Sequence, residues 1–272
     1  MAQPFAPTIA FHQLHEAGCF VLPNPWDVGS ARLLVQLGFR ALATTSAGLA
    51  WSRGRPDNGL ALEDALSHFR ALAEAVPVPV SGDFEGGFAI APEAVGVNVR
   101  RATATGVAGL SIEDASGHAT DPLFELALSV DRVRAAREAI DRSGTRVLLT
   151  ARSEGFIVGR PDLAETIRRL VAYADAGADC LYAPGLRATE DIAAVVTAVA
   201  PKPVNVLVGA DFTTVADLAA LGVRRISVGG ALARAAWTGA WQAAREIAER
   251  GTFTHLGLAI PFADVNRWYG PR

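Results

Sequence analysis

The stretch "TGVAGLSIED", residues 105–114, carries a glycine where a helix ends, a β-rich run, and two closing acids. A glycine in that place supplies the left-handed residue that terminates a helix. The same phrase recurs as "LGFRALATTS" (37–46), "AGADCLYAPG" (176–185) and "LGVRRISVGG" (221–230). Between these runs lie amphipathic segments. "LAETIRRLVAYADAG" (163–177) places Leu163, Ile167, Leu170, Val171 and Ala174 on one helical face. Working outward, the pattern predicts strands near 19–22, 40–46, 78–83, 108–113, 146–152, 179–183, 203–208 and 224–228. Helices are predicted near 27–37, 61–75, 91–104, 129–143, 161–176, 188–199, 213–221 and 231–250. Eight alternating units without a linker predict an α/β chain folded as one (β/α)8 TIM barrel over 1–272, with 252–272 as a C-terminal extension. A doubly wound dinucleotide fold is disfavoured, because no GxGxxG follows the first strand.

Composition narrows the function classes. A net charge of −3 with no basic patch argues against a nucleic-acid partner. The apolar runs are strand-length, so no membrane span is expected. "MAQPFAPTIAFHQLHEAG" (1–18) lacks a basic region followed by a hydrophobic run, so a secretory leader is not expected. Cys19 and Cys180 are far apart with no CxxC spacing, which points to a reducing, cytoplasmic setting. Lys202 is the single lysine among 25 basic residues. It precedes the seventh strand, at the opposite end of the barrel from the mouth. Schiff-base chemistry, which needs a lysine amine in the mouth, is therefore excluded.

In such barrels the active site lies at the C-terminal strand ends. The third strand runs into "SGDFEGGF" (81–88), where alternation would aim Asp83 and Glu85 the same way. The second ends at Ser46, Ala47 and Gly48, offering closely spaced N–H groups. The fourth ends at Glu113-Asp114, the fifth at Arg152 and Glu154, and the seventh carries Asn205. Several carboxylates without histidine or cysteine suit a hard, oxygen-preferring cation, Mg²⁺ first, with Mn²⁺ as the alternative. Each acid taken alone could equally be a helix cap or half of an ion pair, Asp114 above all. Arg152 could simply neutralise Glu113.

Taken in order, "TTSAGLA", "GRPDNG", "SGDFEGGF", "GVAGLSIED" and "LLTARSEGF" resemble the motifs of the isocitrate lyase/phosphoenolpyruvate mutase superfamily, from about Asn24 to Gly230. The resemblance implies a barrel that binds Mg²⁺ and a 2-oxo or 2-hydroxy carboxylate and works through an enolate-like intermediate. It implies Asp83 as direct metal ligand, with Glu85 and Glu113 holding metal-bound waters. Ser46, Ala47 and Gly48 would bind the substrate's carboxylate or oxo oxygen. Arg152 would clamp a carboxylate, and Asp57 would lie beside the reacting centre. Family members exchange the last helix between subunits, which implies a homodimer or homotetramer. That helix, "ALARAAWTGAWQAAREIAERG" (231–251), carries Trp237 and Trp241 four apart on one face.

The chain departs from the family after the fourth strand. The lyase branch carries a Lys-Lys/Arg-Cys-Gly-His run there, and the mutase branch a lysine and an asparagine. Here the stretch reads "EDASGHATDPLFEL" (113–126), without cysteine or lysine. Residues 115–126 are expected to form a lid. His118 is its one group suited to proton transfer near neutrality, and hence a candidate catalytic acid, unless it is merely a solvated loop residue. The expected function is a Mg²⁺-dependent lyase that cleaves or decarboxylates a small acid. The alternatives are a P–C bond enzyme of the phosphonopyruvate mutase or hydrolase type and a carboxylate-binding barrel without turnover. "LVGADFT" (207–213) and "SVGGALA" (227–233) would suit a phosphate cradle, or else only tight strand-to-helix turns.

Overall fold

Glycine ends the helix before a strand in each repeat of the opening phrase: Gly38, Gly106, Gly177 and Gly222 have φ of +89°, +91°, +103° and +86°. Residues with a Cβ rarely adopt that backbone. The protein structure, a computed structural model, describes residues 6–270. The ends of the expected 1–272 domain, including the first part of the stretch read for a leader, lie outside the described residues.

Helix α1 (Ala6–Glu16) comes first, then β1 (Phe20–Leu22), α2 (Val28–Gln36), β2 (Leu42–Ala43), α3 (Ser46–Ser52) and α4 (Leu62–Ala75). There follow β3 (Val80–Asp83), α5 (Pro92–Thr103), β4 (Gly109–Glu113), α6 (Leu126–Ser143), β5 (Leu148–Arg152) and α7 (Leu163–Asp175). The chain continues through β6 (Cys180–Tyr182), α8 (Thr189–Val199), β7 (Val204–Leu207), α9 (Val215–Ala220), β8 (Arg225–Ser227) and α10 (Ala231–Arg250). A 3₁₀ turn (Thr254–Leu258) and α11 (Phe262–Tyr269) close it. All eight expected strands are present. Helices α1, α3 and α11 are additional, and α3, at seven residues, is too short to show a 3.6-residue period.

The strands are parallel, in the order β1-β8-β7-β6-β5-β4-β3-β2, and form a nearly closed single-domain (β/α)8 barrel. Main-chain pairing thins between β1 and β2, where the Ala43 N–H donates to the Pro23 carbonyl at 3.1 Å. Asn24 reinforces this seam. Its amide donates to the Thr44 carbonyl, and its Oδ1 accepts the N–H groups of Val228 and Gly229 at 2.9 and 2.8 Å.

Three apolar clusters hold the barrel, the smallest formed by Ala31, Leu34, Leu42, Leu72, Val76 and Val80 around α2 and α4. Phe69, Leu110, Ile112, Val133, Leu149, Leu170 and Ile226 belong to the largest one, between sheet and helices. Phe11 of α1 packs with Phe20, Leu22, Leu148 and Cys180 in a further cluster, stopping the end of the barrel opposite the mouth. A Cβ at Gly109 would stand 2.6 Å from the Phe11 ring, so the plug fits only against a bare strand. Among the described residues no helix is long and apolar enough to cross a membrane.

Candidate active site at the strand ends

Register brings the charges together. β4 and β5 pair so that Glu113 stands beside Arg152, and Asp83 stands beside Ser111 on β4. Arg152 is the hub. Its Nε donates to Glu154 Oε1 at 2.7 Å and its Nη1 to Asp83 Oδ1 at 2.9 Å, while Nη2 lies 3.2 Å from Glu113 Oε2. The guanidinium lies 5.1 Å from the centre of the Tyr182 ring. Burial opposes its charge, but Glu154, Glu113 and Asp83 outweigh burial and hold its pKa well above the usual value. The remaining oxygen of Asp83, Oδ2, accepts both the N–H and the hydroxyl of Ser46, at 3.0 and 2.9 Å.

A cavity of about 200 Å³ opens here, lined by Asp83, Arg152, Ser46, Ala47, Asp57, Tyr182, Asn205 and Arg225 among others. Of the residues expected to bind substrate, Gly48 departs from its place. It is buried off the cavity, and its N–H donates to Thr45 Oγ1, the side chain that caps α3. The Ala47 N–H has no acceptor among the described residues, and it is Ala47 that lines the cavity with Ser46. Asn205 is held from two sides, by Arg225 Nε at 2.8 Å and by its own amide's bond to Ser227. His118 does not line the cavity. It is exposed in the 115–126 segment, where an Ala115–Leu123 bridge and the Ser116–Pro122 bond form a small hairpin. Asp114 turns away from the mouth and is buried against Arg169, Tyr173 and the Glu154 N–H.

Glu85 does not follow strand alternation. β3 ends at Asp83, and Glu85 sits in a turn with φ +46°, closed by the Gly87 N–H to the Phe84 carbonyl. Arg132 of α6, itself buried, fixes this turn by donating to the carbonyls of Gly86, Ala89 and Ile90. The Glu85 carbonyl in turn accepts the Glu113 N–H at 3.1 Å. Burial first, then Asp83 and Asp57, pushes the Glu85 carboxyl up to about 7. Burial raises Glu113 well above the carboxylate range, with Glu154, Asp83 and Glu85 adding to it. Asp57 is likewise raised, by burial and then by Asp83.

The acids are arrayed around Arg152 rather than gathered at one point. Among the described residues no three acidic, histidine or cysteine side chains converge as a ligand set. Their chemistry nonetheless fits a hard cation. The donors are all oxygen, Glu85 Oε1 is buried without a partner, and burial, with mutual repulsion adding to it, raises several of the carboxyls.

A test of this charge deficit needs no metal. A carboxyl shifted from 4.5 to about 7 binds its proton more tightly in the folded protein than in the unfolded chain. Folding stability therefore falls as pH rises through that window, and the full deficit persists above it. Glu85→Gln is expected to raise the thermal midpoint of metal-free protein at pH 8 and to leave it unchanged near pH 4.5. A midpoint raised equally at both values would contradict the deficit.

Among the cavity residues that escaped sequence reasoning are Tyr182, Ser111 and Arg225. Arg225 had a usable signal. Ile226 packs in the outer core, so parity turns its neighbours Arg225 and Ser227 inward.

The sequence profile of the phosphoenolpyruvate phosphomutase family matches residues 11–248. The crystal structure of a Burkholderia cenocepacia protein of proposed lyase or mutase activity is 48% identical. It superimposes with a TM-score of 0.95, covering 98% of this chain and 97% of that one. An uncharacterised Mycobacterium tuberculosis protein is 34% identical over 259 residues, or 94% of this chain and 95% of its own. An oxaloacetate acetylhydrolase solved with its product oxalate is 26% identical, with a TM-score of 0.86 over 98% of this chain and 94% of that one.

Proposed function

Because the chain belongs to the phosphoenolpyruvate phosphomutase family, within the isocitrate lyase/phosphoenolpyruvate mutase superfamily of lyases and mutases, we propose that it is a Mg²⁺-dependent lyase. Its substrate is a small 2-oxo or 2-hydroxy acid, cleaved or decarboxylated through an enolate. The observation that carries this reading is the pairing of Asp83 and Arg152 on the wall of a cavity sized for a small acid, with Glu113 on the far side of Arg152 and Glu85 just beyond the wall, more negative charge than Arg152 offsets. Likeness to an enzyme named for oxaloacetate favours carbon–carbon over carbon–phosphorus chemistry.

Asp83, Glu85 and Glu113 would hold Mg²⁺. When bound, it supplies Lewis-acid stabilisation of the negative charge that develops on the substrate's oxygen. The chain's own groups do the rest. The free Ala47 N–H orients a substrate oxygen at the mouth. Arg152 holds Asp83, Glu113 and Glu154 in place from three nitrogens, so the acids do not scatter under their own repulsion. Asp57 lines the cavity and is placed to exchange a proton with the carbon on which the enolate closes. Oxaloacetate, substituted malates, methylisocitrate and phosphonopyruvate, each assayed with Mg²⁺ and with chelator, test the reading. Chelator-sensitive turnover of a carbon acid is expected. Turnover of phosphonopyruvate alone replaces the lyase by a P–C bond enzyme, and no turnover leaves a carboxylate-binding barrel.

The active form is a homo-oligomer in which α10 is exchanged between subunits. Only Ala233 and Glu246 of its twenty residues are buried in the described chain, and Trp237 and Trp241 are 50% and 59% exposed. Exposed aromatic residues in such a row mark a contact surface. Light scattering should give a particle of two or four chain masses, and Trp237→Glu with Trp241→Glu should reduce it. A wild-type monomer at micromolar concentration would refute the assembly.

A further inference from the structure

Arg225 is a buried cation facing the cavity without an acid partner. It is 4% exposed, opens β8 and lines the cavity below Ser227. An arginine stays charged at every pH at which the protein is folded, and a buried charge is ordinarily paired. No carboxylate forms an ion pair with Arg225 among the described residues. The raised acids of the mouth feel the charge of Arg152 instead. Every partner of Arg225 is neutral. Its Nε donates to Asn205 Oδ1 at 2.8 Å, its Nη2 to Thr150 Oγ1 at 3.0 Å, and its Nη1 lies 3.4 Å from His15 Nε2.

The histidine's state follows from its other bond. The Phe11 carbonyl, 2.7 Å from Nδ1, can only accept, so Nδ1 carries the proton and Nε2 is left as acceptor. Burial first, and then Arg225, holds the His15 pKa down at about 3, so the ring stays neutral. Helix α1 thus aims the guanidinium without cancelling its charge. A guanidinium has five N–H donors. Three meet neutral acceptors, which leaves one N–H on each terminal nitrogen.

Arg152, by contrast, is occupied by three carboxylates. We propose that Arg225 receives a second carboxylate of the substrate at the cavity floor, which selects short dicarboxylic acids over their monocarboxylate analogues. This rests on the reading of the site as one that processes a carboxylic acid. Arg225 bonds Thr150, two residues before Arg152 on β5, and so lies about 7 Å deeper at ~3.3 Å per strand residue. A four-carbon diacid, measured across its terminal oxygens, spans that depth.

Calorimetric titration with Mg²⁺ present, using malate and 2-hydroxybutyrate, tests the assignment, since the two differ by one carboxylate replaced with methyl. Wild-type protein should prefer malate by on the order of 10²-fold. Arg225→Met should bring that ratio toward one while keeping its affinity for 2-hydroxybutyrate, and Arg225→Lys should fall between. An unchanged ratio in Arg225→Met, or weakening toward both acids alike, makes Arg225 a structural residue and overturns the proposal. Should the methionine variant not fold, the crystal structure of wild-type protein with malate decides. A carboxylate within hydrogen-bond reach of an Arg225 terminal nitrogen supports the assignment, and malate bound away from it overturns it. Wild-type protein that binds both acids equally well overturns this inference alone; protein that binds neither overturns the carboxylate reading with it.

Discussion

Asp83→Asn is expected to yield folded protein whose turnover falls by at least ~10³-fold, with no response to added Mg²⁺. Asp83 is the last residue of β3, and its two oxygens face different tasks. Oδ1 accepts from Arg152, while Oδ2 accepts from the Ser46 N–H and hydroxyl. Asparagine keeps the shape but carries no charge, and its NH₂ cannot accept the Ser46 donors. The substitution removes the proposed direct cation ligand and one of the three acids that orient Arg152. The barrel should survive, because the bond from the Asp83 main-chain N–H to the Thr44 hydroxyl oxygen is untouched. Circular dichroism and thermal unfolding establish folding, and calorimetry with Mg²⁺ together with steady-state rates reads the effect. Wild-type turnover in the folded variant would remove Asp83 from the chemistry.

Arg152→Lys should lower kcat/KM by on the order of 10²-fold, although the formal charge is kept. The guanidinium meets Glu154, Asp83 and Glu113 through three separate nitrogens, at 2.7, 2.9 and 3.2 Å. A single ammonium cannot span that fan. The acids it abandons lose a nearby positive charge, so the carboxyls already raised by burial, Glu113 and Glu154, rise further. If catalysis needs them ionised, the acidic limb of the kcat/KM profile moves to higher pH. An unshifted profile with a near-native rate would reduce Arg152 to a charge balancer.

The barrel was legible because helix and strand periods are local. Leu163, Ile167 and Leu170 declare a helix within a few residues, and the glycines before the strands declare where helices stop. The acids at the strand ends were legible for the same reason, since a charge that closes an apolar run is visible on the line of sequence. Their partners were not. Gly48 stands in a row of small residues suited to oxygen binding, yet Thr45, three residues before it, takes its N–H. Glu85 looked like a strand residue in phase with Asp83, until a left-handed turn held by Arg132 from α6 set it apart.

What the amino-acid order established was the repeating β/α architecture, the family motifs and the acids of the mouth, all written in neighbouring residues. Folding settled which polar groups meet. Arg152 and its counter-charge Asp83 lie 69 positions apart in the chain, and Arg225 and the neutral His15 that aims it lie 210 apart. Such pairs exist only once barrel closure and strand register have set their distance, and ionic interactions depend steeply on distance and burial.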